Sequence, residues 1–181
     1  MDRKKMLQVL LPAGAAAGMV LLIGVLLAIG ESPTDPSKGS SSSSAVVANT
    51  DGMSDTLPPI DAPEWKPGPG NMKVWDVKEG EGAGCLPNAS VKMHYTGWTL
   101  DGKVFDSSVK GVGPRPVDGN PASFQLGSLI KGWQEGIPGM KPGGIRRLYI
   151  PYAWAYGVEG RPPAIPPKAD LVFEVKLIDS K

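Results

Sequence analysis

The sequence predicts an α+β domain of short strands and one short helix, preceded by an apolar N-terminal segment and a polar linker. Three observations indicate this organisation: an uncharged run over Met6–Gly30, a region rich in Ser, Pro and Gly over 31–70, and short apolar stretches separated by turns over 71–181. A chain of 181 residues has room for one compact domain besides these accessories. We therefore divide the chain into 1–30, 31–70 and 71–181.

The N-terminal segment has the features of a membrane anchor. Three basic residues at 3–5 precede the uncharged run, which at about 25 residues is long enough to cross a hydrocarbon core of about 30 Å. A cleavable signal peptide is the alternative, because Met19–Ile29 would also serve as its apolar core. Since Glu31 and Asp35 follow the run, the charge bias keeps the N-terminus cytoplasmic.

This orientation predicts a membrane-anchored domain on the extracytoplasmic side, which is the periplasm in a bacterium. If the leader is cleaved, the domain is secreted or periplasmic. The linker at 31–70 includes the run Ser40–Ser44 and has few large apolar residues. Such a composition buries too little surface to offset the entropy of ordering, so we expect a flexible tether.

The first strands of the domain are indicated by alternation and by a turn signal. Met72–Val77 has the composition of a strand, and Val91–Tyr95 alternates with the apolar side chains of Val91, Met93 and Tyr95 on one inner face. Asp101-Gly102 then predicts a hairpin. Further strands are expected over Val104–Ser107, Ser123–Leu126, Ile145–Ile150 and Leu171–Ile178.

One short helix is predicted between the strands. Its apolar residues have the offsets of a single helical face, and Gly127 and Pro138 bound it. These apolar residues are Leu129, Ile130, Trp133 and Ile137. Strands packed with one face against such a helix make an α+β domain.

Composition and charge exclude several functional classes. A formal net charge of +1 disfavours a nucleic-acid partner. One Cys and one His cannot supply a disulfide, a thiolate zinc cluster or a multi-histidine metal site, so we expect no metal or cofactor. The domain shows no dimerisation helix, and we expect a monomer. His94 alternates with Tyr95 and is expected on the outer face, while Arg146 and Arg147 are expected to be solvated.

A series of short motifs in the domain resembles one known family. The motifs are His94-Tyr95-Thr96-Gly97, Asp101–Ser108, Phe124-Gln125-Leu126-Gly127, Ile130-Lys131-Gly132-Trp133, Gly143-Gly144, Ala155-Tyr156-Gly157, Ile165-Pro166-Pro167 and Leu171–Val175. In this order they resemble the FKBP-type peptidyl-prolyl cis-trans isomerases, the tacrolimus-binding immunophilins. The resemblance covers 71–181 and implies a twisted antiparallel sheet of about five strands wrapped around one short α-helix.

The resemblance also implies a set of site residues. It places Trp133 as the floor under a prolyl ring, with aromatic walls, and the backbone N–H of Ile130 and the hydroxyl of Tyr156 as donors to substrate carbonyls. Asp106 would face the twisting amide. The implied catalytic residues are Tyr95, Phe105, Asp106, Trp133, Tyr156 and Phe173, and the implied substrate-binding residues are Leu129, Ile130 and Ile165. Aromatic residues on strands also suit a core, and an Asp just past a hairpin also suits a local backbone bond.

The implied activity is rotation about X–Pro peptide bonds in exported proteins, which assists their folding. The rotation barrier is about 18–20 kcal/mol, and an apolar pocket that excludes water would favour the less dipolar twisted amide. The implied partners are proline-containing polypeptide segments and tacrolimus-like macrolides. The alternative is a non-catalytic chaperone or interaction module that uses the same groove.

Several positions depart from the family pattern. The loop Val109–Ala122 is longer than usual, and Ala122 stands where many relatives have an aromatic wall. Arg161 and Ala164 replace other rim residues. We therefore expect retained activity with altered selectivity, and the preferred residue before proline does not follow from the sequence.

Overall fold

The computed structural model of the protein describes residues 52–115 and 117–181. The predicted membrane segment and the first part of the linker, up to residue 51, lie outside these residues. Over the part of the chain that is described, no helix has the length and apolar character that a bilayer crossing requires.

Seven strands form one antiparallel sheet in the described residues. The spatial order is β1-β2-β6-β7-β3-β4, and β5 pairs separately with β3. The strands are β1 Lys66–Pro67, β2 Lys73–Lys78, β3 Ser90–Thr99, β4 Val104–Ser107, β5 Ala122–Gln125, β6 Ile145–Ile150 and β7 Leu171–Ser180. The α+β class and the antiparallel sheet are confirmed, but seven strands replace the expected five or so. The two-residue β1 is too short to have any alternation in sequence.

Helical structure is sparse and lies between the strands. The single α-helix in the described residues, α1, spans Lys131–Gly136. Three 3₁₀ turns cover Pro69–Asn71, Leu126–Ser128 and Tyr152–Trp154. The helix is shorter than the apolar pattern predicts, because Ile130 is extended at its N-cap, with φ −59° and ψ 148°. Gly132 lets α1 approach β6 closely, since a Cβ there would lie 2.4 Å from Cγ2 of Ile150.

The inner face of the sheet packs on α1 and forms the main core. Val91, Met93 and Tyr95 lie on this face as predicted, each at most 5% exposed. The hairpin at Asp101-Gly102 joins β3 to β4, with Gly102 at φ +85°. Other buried members of this core are Leu126, Trp133, Ile137, Leu148, Ile150, Ile165, Phe173, Val175 and Leu177.

The outer face of the sheet is buried as well. His94 and Glu174 lie on this face by alternation, yet they are only 5% and 1% exposed. Arg147 of β6 is 8% exposed, and its Nε donates a 2.6 Å hydrogen bond to Oε2 of Glu174. The expectation that Arg147 is solvated is therefore wrong, because this face carries a buried ion pair.

Residues 52–67, which we call the N-terminal strap, pack against this outer face. Met53 has no exposed surface, and the backbone N–H of Ser54 donates to Oε1 of Glu174. Trp65 contacts Trp75 edge to face at a centroid distance of 5.7 Å. Composition assigns 52–70 to the flexible linker, whereas here these residues lie against the sheet. The compact part of the chain therefore begins before residue 71.

Candidate functional site

An aromatic cluster lies where the N-terminal end of α1 meets the inner face of the sheet. Trp133 of α1 is its centre, with ring-centroid distances of 5.4 Å to Tyr95, 5.8 Å to Phe124 and 5.1 Å to Phe173. All three contacts are edge to face, the arrangement that aromatic quadrupoles favour. Only 4% of Trp133 is exposed, so the indole forms the bottom of the cluster and not its rim.

Phe105 extends the cluster toward β4. Its ring contacts Phe173 at 5.5 Å and an interplanar angle of 89°. Both rings pack directly over Gly97, where a Cβ would lie 2.5 Å from Cζ of Phe105 and 2.8 Å from Cε1 of Phe173. Glycine is therefore required at this point of β3, because any side chain would displace the two rings.

Asp106 is held beside the cluster by two donors. The Tyr95 hydroxyl donates a 2.9 Å hydrogen bond to Oδ2, and the Arg115 guanidinium binds Oδ1 through Nε, at 3.1 Å, and Nη2. Burial, together with the negative charge of Asp106, raises the pKa of Tyr95 well above its ordinary value. The tyrosine therefore stays protonated and continues to donate.

Arg115 is a site residue that the sequence did not indicate. It lies in the long loop Val109–Ala122, where no periodicity or motif marks one residue over another. A buried carboxylate requires a partner, so the need of Asp106 for one was the signal that could have indicated Arg115. The loop also leads into β5, where Phe124 contacts both Tyr95 and Trp133. Phe124 thus adds aromatic surface near Ala122, where the pattern predicts a missing wall.

A free backbone donor lies next to the cluster. Ile130 accepts hydrogen bonds through its carbonyl from Trp133 N, at 2.9 Å, and from Gln134 N, at 3.2 Å. Its own N–H donates to no acceptor in the described residues. This is one of the unpaired N–H groups at a helix start. The resemblance implies that this N–H donates to a ligand carbonyl.

Tyr156 lies between two charged groups. Burial raises the pKa of its hydroxyl; the nearby positive charge of Arg161 opposes this rise, and the negative charge of Asp106 adds to it. The hydroxyl is therefore neutral and able to donate near neutral pH. Its position follows from the turn after Tyr152–Trp154, which is closed by the 2.8 Å bond from Gly157 N to the carbonyl of Tyr152.

The indole N–H of Trp133 is buried and has no acceptor within the described residues. A buried donor without a partner costs about 1–3 kcal/mol, so such a group is often completed by a ligand. The indole N–H of Trp98 is also buried without an acceptor there, yet Trp98 alternates onto the outer face. The orphan donor alone therefore does not distinguish a site from a core.

The nine residues that the resemblance implies lie in the main hydrophobic core or beside it. Five are buried members of this core, and Asp106 is joined to it through Tyr95. The buried members are Tyr95, Phe105, Trp133, Ile165 and Phe173, and the partly buried ones are Leu129, Ile130 and Tyr156. The roles assigned to them stay predictions.

The described residues place neither a metal-binding cluster nor a reactive thiol at the aromatic cluster. Between residues 52 and 181, Pro116 excepted, no cluster of three metal-ligating side chains occurs. The Cys85 thiol is 3% exposed, and burial raises its pKa, so it is a poor nucleophile. His94 lies beside Ser108 on the outer face, with 3.3 Å between Nδ1 and Oγ. An apolar floor, neutral hydroxyls and one free N–H suit the binding and twisting of an amide.

Comparison with known proteins identifies relatives of this domain. The family model of the FKBP-type peptidyl-prolyl cis-trans isomerases matches residues 85–178. FK506-binding protein 4 of Rhizopus delemar is 48% identical over 115 residues, which are 62% of this chain and 28% of that protein. An FK506-binding protein of Neisseria meningitidis serogroup A is 40% identical over 109 residues, 60% of this chain and 95% of that protein.

A solved structure has the same fold. A crystal structure of a peptidyl-prolyl cis-trans isomerase from Pseudomonas syringae superposes with a TM-score of 0.58 at 32% identity, covering 67% of this chain and 84% of that chain. The family match covers just over half of the chain, and it includes the aromatic cluster, Asp106 and Ile130. The chain therefore belongs to the FKBP-type peptidyl-prolyl cis-trans isomerase family.

Proposed function

We propose that this protein catalyses cis-trans isomerisation of X–Pro peptide bonds at the aromatic cluster around Trp133. One observation carries the proposal: the N–H of Ile130, which donates to no acceptor in the described residues, lies at the start of the helix whose Trp133 forms the apolar floor, and the hydroxyl of Tyr156 is neutral. This combination offers an apolar seat for a prolyl ring and donors for the neighbouring carbonyls.

The proposed mechanism uses the difference between planar and twisted amides. The planar amide has partial double-bond character and a large dipole, whereas the twisted transition state has less charge separation. Removing water over Trp133 would destabilise the planar form relative to the twisted one. The Ile130 N–H and the Tyr156 hydroxyl would hold the flanking carbonyls during rotation, and each tenfold gain in rate requires about 1.4 kcal/mol.

Asp106 would act from the wall of the site. Its two oxygens are already engaged by Tyr95 and Arg115, so the carboxylate is fixed in position. A fixed dipole needs no reorganisation during rotation, which is the condition for stabilising a transition state electrostatically. The electrostatic field of the carboxylate would favour the twisted amide, and Asp106 would not act as a base that abstracts a proton.

The location and clients are part of the proposal. The basic residues before the apolar run Met6–Gly30 support a membrane anchor with the domain on the extracytoplasmic side. Clients would then be exported proteins whose folding waits for X–Pro isomerisation. Relatives named FK506-binding proteins support binding of tacrolimus-like macrolides at the same cluster. We propose that the domain acts as a monomer and binds no nucleic acid.

A protease-coupled isomerisation assay with a proline tetrapeptide tests the activity. The wild-type chain is expected to accelerate the slow phase, and Trp133→Leu is expected to lose most of the acceleration because the floor is removed. Phe105→Tyr adds a hydroxyl at the apolar wall and should reduce the rate less. Circular dichroism of each variant separates lost activity from lost folding. Equal rates with and without protein, together with retained peptide binding, would support the non-catalytic alternative.

A further inference from the structure

We propose that Arg161 determines substrate specificity by favouring an acidic residue immediately before the proline. The inference rests on the proposed function and names the substrate class of the same site. It starts from the charges around the aromatic cluster. The sequence indicates the carboxylate of Asp106 and the rim residue Arg161, and the structure adds Arg115.

The backbone of Arg161 is fixed at the edge of the site. Its N–H donates to the carbonyl of Ile165 at 2.8 Å, and the N–H of Ile165 donates back at 3.0 Å. Ile165 is 2% exposed, belongs to the main hydrophobic core and is one of the implied substrate-binding residues. Two hydrogen bonds to a buried residue therefore anchor Arg161 next to the predicted prolyl seat.

The guanidinium of Arg161 lies near Tyr156. Its charge acts on the Tyr156 hydroxyl, which also senses Asp106. Tyr156 is the predicted donor to a substrate carbonyl, so a residue adjacent to the proline would pass close to Arg161. The side chain is partly exposed and remains accessible to such a residue.

The charge of Arg161 has no counterion among the described residues. Asp106 is paired with Arg115, and no ion pair in residues 52–115 and 117–181 includes Arg161. Glu159, two residues earlier, is exposed and makes no ion pair with it. The carboxylate and one guanidinium cancel, which leaves one positive charge at the rim.

An uncompensated guanidinium favours a carboxylate and disfavours an ammonium group. A partly exposed ion pair contributes up to about 1 kcal/mol, which corresponds to about fivefold in kcat/KM. The preference should weaken with salt, because exposed charges are screened over about 8–10 Å at physiological ionic strength. An uncharged substrate residue gains nothing from Arg161 and serves as the reference.

The test compares three X–Pro peptides that differ only in the residue X before the proline, which is Glu, Gln or Lys. NMR exchange spectroscopy gives the catalysed cis-trans rate without a coupling protease. At low salt the wild-type chain is expected to isomerise the Glu peptide about fivefold faster than the Gln peptide. It is also expected to isomerise the Gln peptide faster than the Lys peptide. Arg161→Gln should bring both ratios close to one, and Arg161→Lys should keep most of the preference. Lys92→Gln, the same charge change at an exposed position on β3, should leave the ratios unchanged.

The outcomes separate this inference from the proposed function. Equal Glu and Gln rates in the wild-type chain, or unchanged ratios in folded Arg161→Gln, would overturn the role of Arg161. If the wild-type chain accelerates none of the peptides, the proposed function fails. In that case the Kd ratio of the same peptides, measured by NMR titration, decides the inference: a fivefold preference for Glu that Arg161→Gln removes supports it, and equal Kd values overturn it.

Discussion

The Tyr95 hydroxyl donates a 2.9 Å hydrogen bond to Oδ2 of Asp106, and it does so from the middle of β3. Tyr95 lies on β3 and Asp106 on β4, so the bond crosses the hairpin that Asp101-Gly102 closes. Arg115 binds the other carboxylate oxygen from the long loop. A buried carboxylate with both oxygens engaged is fixed in direction, which is what an electrostatic role in catalysis requires.

Tyr95→Phe should weaken both stability and activity. The change removes a hydrogen bond to a charged group, which contributes about 1.5–3 kcal/mol. We expect the free energy of unfolding to fall by this amount and kcat/KM to fall about tenfold, since 1.4 kcal/mol of lost transition-state stabilisation is a factor of ten. Urea unfolding and the isomerisation assay measure the two quantities.

Tyr149→Phe is the matched control. Tyr149 also donates to a carboxylate, at 2.6 Å to Oδ2 of Asp170, but it lies on β6 away from the aromatic cluster. This variant should lose stability and keep kcat/KM. A comparable loss of activity in both variants would mean that the Tyr95–Asp106 bond has no special role.

Gly97→Ala should disturb the site through two rings. A Cβ at this position would lie 2.5 Å from Cζ of Phe105, so both Phe105 and Phe173 must move. Overpacking of this kind costs about 1–3 kcal/mol. The double variant Gly97→Ala/Phe105→Leu should be less destabilised than the sum of the single changes, because the smaller side chain relieves the clash. Additive effects in a thermal-unfolding cycle would contradict this explanation.

Removal of the N-terminal strap should destabilise the domain without removing its site. A chain that begins at residue 71 loses the buried Met53 and the Ser54 donor to Glu174. Burial of a methionine side chain alone is worth about 1.5–3 kcal/mol, so the midpoint of urea unfolding should fall clearly against a chain that begins at residue 46.

The activity per folded molecule should be kept, because the strap lies on the face of the sheet opposite to Trp133. Met53→Ala in the longer chain should reproduce part of the stability loss. Equal midpoints for the two lengths would show that the strap contributes nothing to stability.

Alkaline pH should destabilise the protein through its tyrosines. Burial, together with the hydrogen bond to Asp170, raises the pKa of Tyr149 to about 12, above an unfolded value of about 10. The folded state therefore holds the proton more tightly, and this contribution is complete below about pH 10 and is lost between about pH 10 and pH 12. Tyr95 and Tyr156 are shifted in the same direction. Unfolding free energies across this range should fall, and Tyr149→Phe should reduce the slope.

Much of the inner face could be predicted from the sequence, because alternation follows from the geometry of a half-buried strand. Val91, Met93 and Tyr95 lie where that alternation places them. The alternation of buried and exposed residues stops at His94, and every residue over Met93–Thr99 is buried. This end of β3 has no clear period because both faces of the sheet are covered there.

The remaining features depend on long-range contacts that have no local signature. The ion pair of Arg115 with Asp106 requires the long loop to fold back over β4, and the ion pair of Arg147 with Glu174 requires the pairing of β6 with β7. The composition of 52–70 is that of a linker. Contacts of a few residues, such as Met53 and Trp65, hold this segment against the sheet when a sheet face is available.

NMR exchange spectroscopy of an X–Pro peptide with a small amount of labelled protein tests the proposed site most directly. The account predicts accelerated cis-trans exchange, accompanied by shifts of the Ile130 amide and the Trp133 indole N–H signals when peptide is added. A Trp133→Leu variant that remains folded should no longer accelerate the exchange. An unchanged exchange rate, or shifts confined to residues away from this cluster, would contradict it.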